Sequence, residues 1–445
     1  MIPNSIKTLN LFPRTILPSI EKWIDDRLAL VLTGSRQVGK TSTLYLLIQN
    51  LIKKNIPPEN LFYFDLEKLA HFQLIENGAE SLINFLRFEG ANLEGKIFIF
   101  IDEIQYLSDP SNFLKLIVDH YPQIKIICTG SSSLDIRRKF KDSLVGRKMI
   151  FEIYGLSFAE FLYFKNERQM GEVLKKNNLT NILKNENLNQ AIPDIYTTAL
   201  QSAFNEYCQF GGYPAIVLEP VFEKKISLLN EIYDAYVHKD VRSLFKIENI
   251  PAFNQLCQMT AIAIGNLQNI NTFADDLGVS RSTLDNYLTM LENTYIIRRL
   301  TPFFKRKKRE VIKMPKIFWM DIGLRNLVIK QFNEPGLRND RGAIVENFIY
   351  VHLLRELPVL WELNFWRTKN SMEVDFICQT PEGLIPIEVK HRSFKQPTLP
   401  SGIKSFIQTY PVETAVVITK DFLFEARISG TRVLFIPAHL FYFLS

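Results

Sequence analysis

Cysteine is scarce and scattered. The four residues, Cys128, Cys208, Cys257 and Cys378, lie far apart in the chain, which argues against a disulfide scaffold or a zinc knuckle and suits a reducing compartment. No apolar run reaches the roughly 18 residues that a transmembrane helix requires, so no membrane span is expected. The opening MIPNSIKTLNLFPRTI has no basic tip ahead of a long apolar stretch, and no secretory signal is read there. An excess of one charge sign is also missing. The 53 Lys and Arg against 47 Asp and Glu leave +6, which permits nucleic-acid binding without requiring it. What remains is a cytoplasmic, globular composition: 47% hydrophobic residues and 34 Phe can fill ordinary cores, and 445 residues allow roughly two to four domains.

Residues 28–33, LALVLT, read as a buried parallel strand that runs into GSRQVGKTS and then a helix, TLYLLIQNLIKK. Gly34 and Gly39 allow tight turns, so that the backbone N–H groups of Gly34, Ser35, Arg36, Gln37, Val38, Gly39, Lys40, Thr41 and Ser42 can cradle the phosphates of ATP. In this reading Lys40 reaches the β- and γ-phosphates and the Thr41 hydroxyl ligates Mg²⁺. A second strand, KIFIFIDEIQYL, ends in Asp102 and Glu103. Strand alternation is expected to point the two acids in different directions, Asp102 toward Mg²⁺ and Glu103 toward the attacking water. The strand QIKIICTGSSS offers Thr129 or Ser131 to the water or γ-phosphate, or equally as helix caps. LFYFDLEK supplies a further strand, ending near Asp65 and Glu67. Apolar strands alternating with helix-length segments predict an open parallel α/β sheet with its ligand at the carboxyl ends. Arg137, Arg138 and Arg147 follow, and Arg147 is the preferred arginine for stabilising transition-state charge, from this subunit or a neighbour.

Beyond a polar, Asn- and Lys-rich stretch, His238, Asp240 and Arg242 read as a salt-bridged surface. NTFADDLGVSRSTLDNYLTMLENTYIIRRL then has helix-turn-helix spacing, with Gly278 at the turn and Ser280 or Ser282 as cap. YIIRRLTPFF and the basic run Lys305 to Arg309 would form a wing. In a DNA-binding version Ser282, Thr283 and Asn286 face a groove while the basic run meets phosphates. The alternative is a spacer with a solvated basic hairpin.

Near the carboxyl end, a helix carries Glu346, and strands carry Trp366, Asp375, Glu388 and Lys390. A hairpin through PEGL sets Asp375 beside Glu388, and Lys390 shares a face with Glu388. Glu346, Asp375 and Glu388 can hold one or two divalent ions, a second Mg²⁺ or Mn²⁺, with Lys390 positioning water for phosphodiester hydrolysis. The alternative is a buried ion-pair cluster that Lys390 neutralises.

GSRQVGKTS, FIFIDEIQ, TGSSS, SLVGRKMIFEIYGLSFAEFL, QFGGYPAIV, SMEVDFI and IPIEVK, in that order from about residue 15 to 440, resemble the prokaryotic AAA-type ATP-binding proteins that carry a carboxyl-terminal domain of unknown function with a restriction-endonuclease-like fold. The resemblance implies an AAA-like P-loop NTPase domain over 1–163, a polar insertion and helical linker over 164–230, a helical and winged-helix segment over 231–310, and a restriction-endonuclease-like α/β domain over 311–445. It implies ATP-site roles for Lys40, Thr41, Asp102, Glu103 and Arg147, and nuclease-like roles for Glu346, Asp375, Glu388 and Lys390. It also points to switch-like relatives rather than motors. Three functions are carried forward: a Mg²⁺-dependent ATPase that repositions its carboxyl-terminal modules, an ATP-gated nuclease, and a nucleotide-bound scaffold that recruits DNA through 271–310 or an unknown protein. Oligomeric state is open.

Overall fold

A computed structural model of the chain describes residues 2–130, 144, 146–176, 178–184, 194–237, 241, 249–303 and 314–442. Ser131, Arg137, Arg138, His238, Asp240, Arg242 and the basic run 305–309 lie outside the described residues. Two compact units emerge. The first comprises Met1–Gly155, Ala235–Lys246 and Asn293–Tyr295; the second comprises Leu156–Asp234, Ile247–Glu292 and Ile296–Ser445. No described helix is long and apolar enough to cross a membrane.

The first unit is organised by five strands: β1 (Ala29–Thr33), β2 (Leu61–Asp65), β3 (Ile97–Asp102), β4 (Ile124–Gly130) and β5 (Lys148–Glu152). All pair in parallel, in the order β2-β3-β4-β1-β5. Every residue of β1, β3 and β4 is buried, as continuous apolar runs covered on both faces demand. Lys125 is the polar intruder in β4, and its ammonium donates to the carbonyls of Trp23, Asp26 and Leu28 at 2.6, 2.8 and 2.7 Å. Strand order reverses at β1, so the crevice beyond its carboxyl end is the natural ligand position in such a sheet. The helix Lys40–Lys53 leaves from that point, burying Leu44, Leu47, Ile48 and Leu51, the spacing of one helix face.

In the second unit, the helices Ile270–Leu277 and Arg281–Asn293 flank Gly278, whose φ of 62° closes the first of them. The left-handed cap is one that glycine adopts at little cost. The strand that follows, β6 (Ile297–Leu300), pairs antiparallel with β7 (Lys316–Trp319). Beyond them stands a six-stranded mixed sheet of β8 (Glu362–Arg367), β9 (Glu373–Thr380), β10 (Gly383–Val389), β11 (Thr414–Thr419), β12 (Phe424–Ile428) and β13 (Thr431–Pro437), in the order β12-β13-β11-β10-β9-β8. The helix Ser401–Thr409 buries Ile403 and Phe406 in the core of this sheet, with Trp366, Val374 and Val417.

Candidate functional site

At the end of β1 the chain turns at Gly34, where an added Cβ would stand 2.1 Å from the Ile153 carbonyl oxygen. No larger residue fits there. Gln37 and Gly39 take left-handed conformations, with φ of 61° and 95°, and between them Val38 is buried. Lys40 opens the helix, and its ammonium turns back to donate to the Gly34 and Ser35 carbonyls at 3.1 and 2.8 Å. The positive charge is thus held inside the loop that surrounds it. Arg14 braces the loop from outside, donating to the Val38 and Tyr154 carbonyls, each at 2.8 Å. Ser35 and Arg36 are half-buried at the rim, and Ser42 is exposed on the helix.

Asp102 ends β3 and is buried. Its Oδ2 accepts from the Thr41 hydroxyl at 2.8 Å and from the Tyr63 hydroxyl at 3.1 Å, and its Oδ1 accepts from the Thr129 hydroxyl. Burial, then the charge of Asp102, push the Tyr63 phenol far upward, so it stays protonated and donates. All three donors are neutral, and among the described residues Asp102 has no ion-pair partner.

Glu103 departs from the expected alternation. The strand stops at Asp102, and Glu103 takes φ 59°, a left-handed conformation that costs a non-glycine residue on the order of 1–3 kcal/mol and persists only where its surroundings enforce it. Its N–H donates to the Thr129 Oγ1 at 2.9 Å, and its carboxylate accepts from Gln105 Nε2. A left-handed turn, rather than strand pleating, separates the two acids. Thr129 therefore contacts both: its oxygen accepts from the Glu103 backbone while its proton goes to Asp102. Asp65 pairs in register with Asp102, but its side chain accepts from the Glu67 N–H at 3.0 Å and stays with its own turn.

Arg147 requires a correction. It immediately precedes β5, whose first residue, Lys148, is level with Ala29 at the start of β1. It thus lies at the amino-terminal edge of the sheet, about 17 Å of strand rise from the phosphate-loop end. There its Nε donates to Asp119 at 2.7 Å, so it is not the arginine of this chain's own site.

In the second unit, Ile387 of β10 faces Phe376 of β9, which brings Glu388 alongside Asp375 as the hairpin reading expects. Glu388 Oε1 pairs with Lys390 at 2.6 Å, and Asp375 Oδ2 accepts from the Val389 N–H at 2.8 Å. The cation among the acids, however, is Lys316 of β7, whose Nζ lies 2.6 Å from Glu373, 2.9 Å from Glu346 and 3.5 Å from Asp375. The expectation that Lys390 would neutralise the whole set is corrected accordingly: it serves Glu388. Burial first and the Asp375 charge second push Glu346 up to about 8 and Glu388 up to about 7. No cluster of three or more His, Cys, Asp or Glu side chains suited to a metal occurs among the described residues.

Sequence reasoning missed Arg14, Tyr63, Glu373 and Lys316. A signal existed for two of them. Tyr63 is two residues before Asp65 on a strand next to β3, and Glu373 is two before Asp375 on β9, hence on the same face.

This phosphate-loop geometry agrees with comparisons to known proteins, which match residues 26–162 to the AAA domain. This region is similar to an AAA-type P-loop ATPase domain. Residues 201–334 and 341–440 match two domains of unknown function (DUF8612 and DUF4143). An uncharacterized protein of Methanocaldococcus jannaschii is 27% identical over 402 residues, covering 85% of this chain and 79% of its own. One from Haemophilus influenzae is 23% identical over 414 residues, covering 91% and 92%. Among solved structures, Cdc6p from Pyrobaculum aerophilum superimposes with a TM-score of 0.29 at 12% identity, over 74% of this chain and 97% of that one. Hsp104 of S. cerevisiae, in a complex with casein, gives 0.32 at 16% identity, over 64% and 50%. At such TM-scores neither superposition bears on function, and the AAA assignment rests on the domain match and on the sheet order around β1.

Proposed function

We propose that the protein is a Mg²⁺-dependent ATPase whose nucleotide cycle repositions the segments outside the AAA domain. Asp102 carries this reading. It is a buried carboxylate served by three neutral hydroxyls, one of them from the threonine next to the phosphate-loop lysine. Neutral donors spread its charge without cancelling it, and a buried uncompensated carboxylate is costly. A divalent cation accompanying a triphosphate removes that cost, and Thr41 and Asp102 are the residues that would hold it. The chemistry such an ion would supply there is charge stabilisation at the phosphates. Lys40 offsets charge on the β- and γ-phosphates, and the N–H groups of the loop and helix start orient them. Glu103 takes a proton from the attacking water, and Thr129 fixes its backbone relative to Asp102. All four cysteines are buried free thiols, which supports a reducing, cytoplasmic setting.

Calorimetric titration of the full chain with ATP and Mg²⁺ tests the reading. Saturable binding is expected, weakened at least ~10-fold by Lys40→Ala. Equal affinity in the two proteins would refute it.

The helix pair around Gly278 supports an added DNA-recruiting role, in the manner of a winged helix, because Ser282 and Asn286 are exposed and Thr283 is half-buried beside them. Duplex DNA affinity is then expected to fall steeply with salt and to weaken when Lys305 to Arg309 are neutralised. A salt-independent fluorescence anisotropy titration would remove this role.

A further inference from the structure

The acid set of the second unit poses a different question from the ATP site, and its answer does not depend on that site. Four carboxylates converge there: Glu346 from the helix Arg341–Glu356, Glu373 and Asp375 from β9, and Glu388 from β10. Three cations meet them. Lys316 bonds Glu346, Glu373 and Asp375, Lys390 bonds Glu388 at 2.6 Å, and Arg367 bonds the other oxygen of Glu373 at 3.0 Å. Four acids thus meet three cations, and each acid has a cationic partner.

The placement of Lys316 decides what this set can bind. Its side chain is 2% exposed, and an ammonium has three N–H donors, matched here by three carboxylates at 2.6, 2.9 and 3.5 Å. The ring of Phe365 lies 5.6 Å from the same nitrogen. A Mg²⁺ ion needs its oxygens at about 2.0–2.1 Å, in a nearly complete octahedron. Lys316 already holds Glu346 Oε1, Glu373 Oε1 and Asp375 Oδ1, and Asp375 Oδ2 accepts from the Val389 N–H, so a divalent ion there would have to enter directly against the ammonium charge. Glu388 Oε2 is buried without a hydrogen-bond partner among the described residues, but its carboxyl group is already paired with Lys390 through Oε1.

We infer that Lys316 is a built-in cation that occupies the place a divalent ion would need among Glu346, Glu373 and Asp375, so that the nuclease-like acid set is a closed ion cluster and does not perform metal-dependent cleavage. Its role is to fasten β7 to the sheet and to the helix carrying Glu346. The identity of the plug follows from position: Lys316 opens β7, and its long stem carries the charge to the acids while the strand itself pairs with β6.

Manganese titration of nucleotide-free, full-length protein, followed by electron paramagnetic resonance, tests the inference. Wild-type protein and D375N should bind the same number of Mn²⁺ ions. K316M keeps roughly the length of the side chain and removes its positive charge from among the acids. It should gain one Mn²⁺ per chain, bound at least ~10-fold tighter than any wild-type ion, and the double variant K316M/D375N should lose it. A wild-type ion that disappears in D375N overturns the inference, as does a folded K316M that gains none. If K316M does not fold, comparing wild type with E388Q, an isosteric change on the opposite strand, decides: equal Mn²⁺ stoichiometry supports the closed cluster, and one ion fewer in E388Q refutes it.

Discussion

Exchanging Glu103 for Gln should lower steady-state phosphate release from ATP by ~10²-fold or more while leaving ATP affinity within about threefold, since a positioned general base contributes that much and little to ground-state binding. The geometry separates the two effects. Asp102 is held by the side chains of Thr41, Tyr63 and Thr129, and Glu103 enters that network through its backbone N–H alone. The glutamine retains this N–H and the left-handed turn, so the cation side of the site is preserved. Thr41→Ala should behave differently, losing affinity for Mg²⁺·ATP along with turnover. The check is a malachite-green phosphate assay at saturating ATP run beside calorimetry. Unchanged release in Glu103→Gln would remove Glu103 from the chemistry, and a parallel collapse of binding would make it a structural residue.

The parts of this site that were legible in sequence are those encoded by neighbours. Gly34, Lys40 and Thr41 sit within eight positions of one another, and Asp102 ends an apolar run that can only be a buried strand. What escaped depends on the sheet. Arg14 meets Val38 across 24 residues, and nothing in the sequence around it marks it as a brace. Arg147 lies away from this chain's own site because a residue just before a parallel strand sits at the amino-terminal edge, a consequence of strand direction that composition does not reveal. The turn at Glu103 escaped because alternation was extended one residue past the end of β3. In the second unit the β9–β10 hairpin was legible from its short turn. The β11–β13 pairing and the Lys316 contacts were not, since they join residues distant in sequence, and Lys316 itself sits just beyond a basic run in which one more lysine draws no notice.

Stability of the second unit should peak on the acid side of neutrality, for reasons that lie in two opposed sets of buried groups. Burial pushes Glu346 up to about 8, and Glu356 and Glu388 up to about 7. Between the unfolded value of 4.5 and those values the folded chain keeps protons that the unfolded chain has released, so their contribution is fully present below pH 4.5 and is lost as pH rises toward 8. Histidines act the other way. Burial lowers His352 to about 3, and His391 and His439 to about 4, from 6.5. His352 Nε2 accepts the Phe158 N–H at 3.0 Å, which a protonated ring cannot do. Their contribution is present above pH 6.5 and is lost as pH falls through 4. From pH 8 to 6.5 the gain from the glutamates outweighs the loss that begins as the unfolded histidines protonate near 6.5. Between 6.5 and 4.5 the two sets offset each other, and below 4.5 the histidines alone continue to lose. Asp340, held down to about 2 by Arg338 and Arg325 against its burial, joins them there. Urea midpoints followed by tryptophan fluorescence should therefore rise from pH 8 to about 6.5, level off, and drop below about 4.5. Trp319, Trp361 and Trp366 lie in this unit and only Trp23 in the other, so the signal reports mainly on it. H352Q, whose amide can accept from Phe158 and donate to the Phe348 carbonyl in turn, should flatten the acid limb and leave the alkaline limb in place. An unaltered acid limb in that variant would show that burial of neutral histidines does not set it.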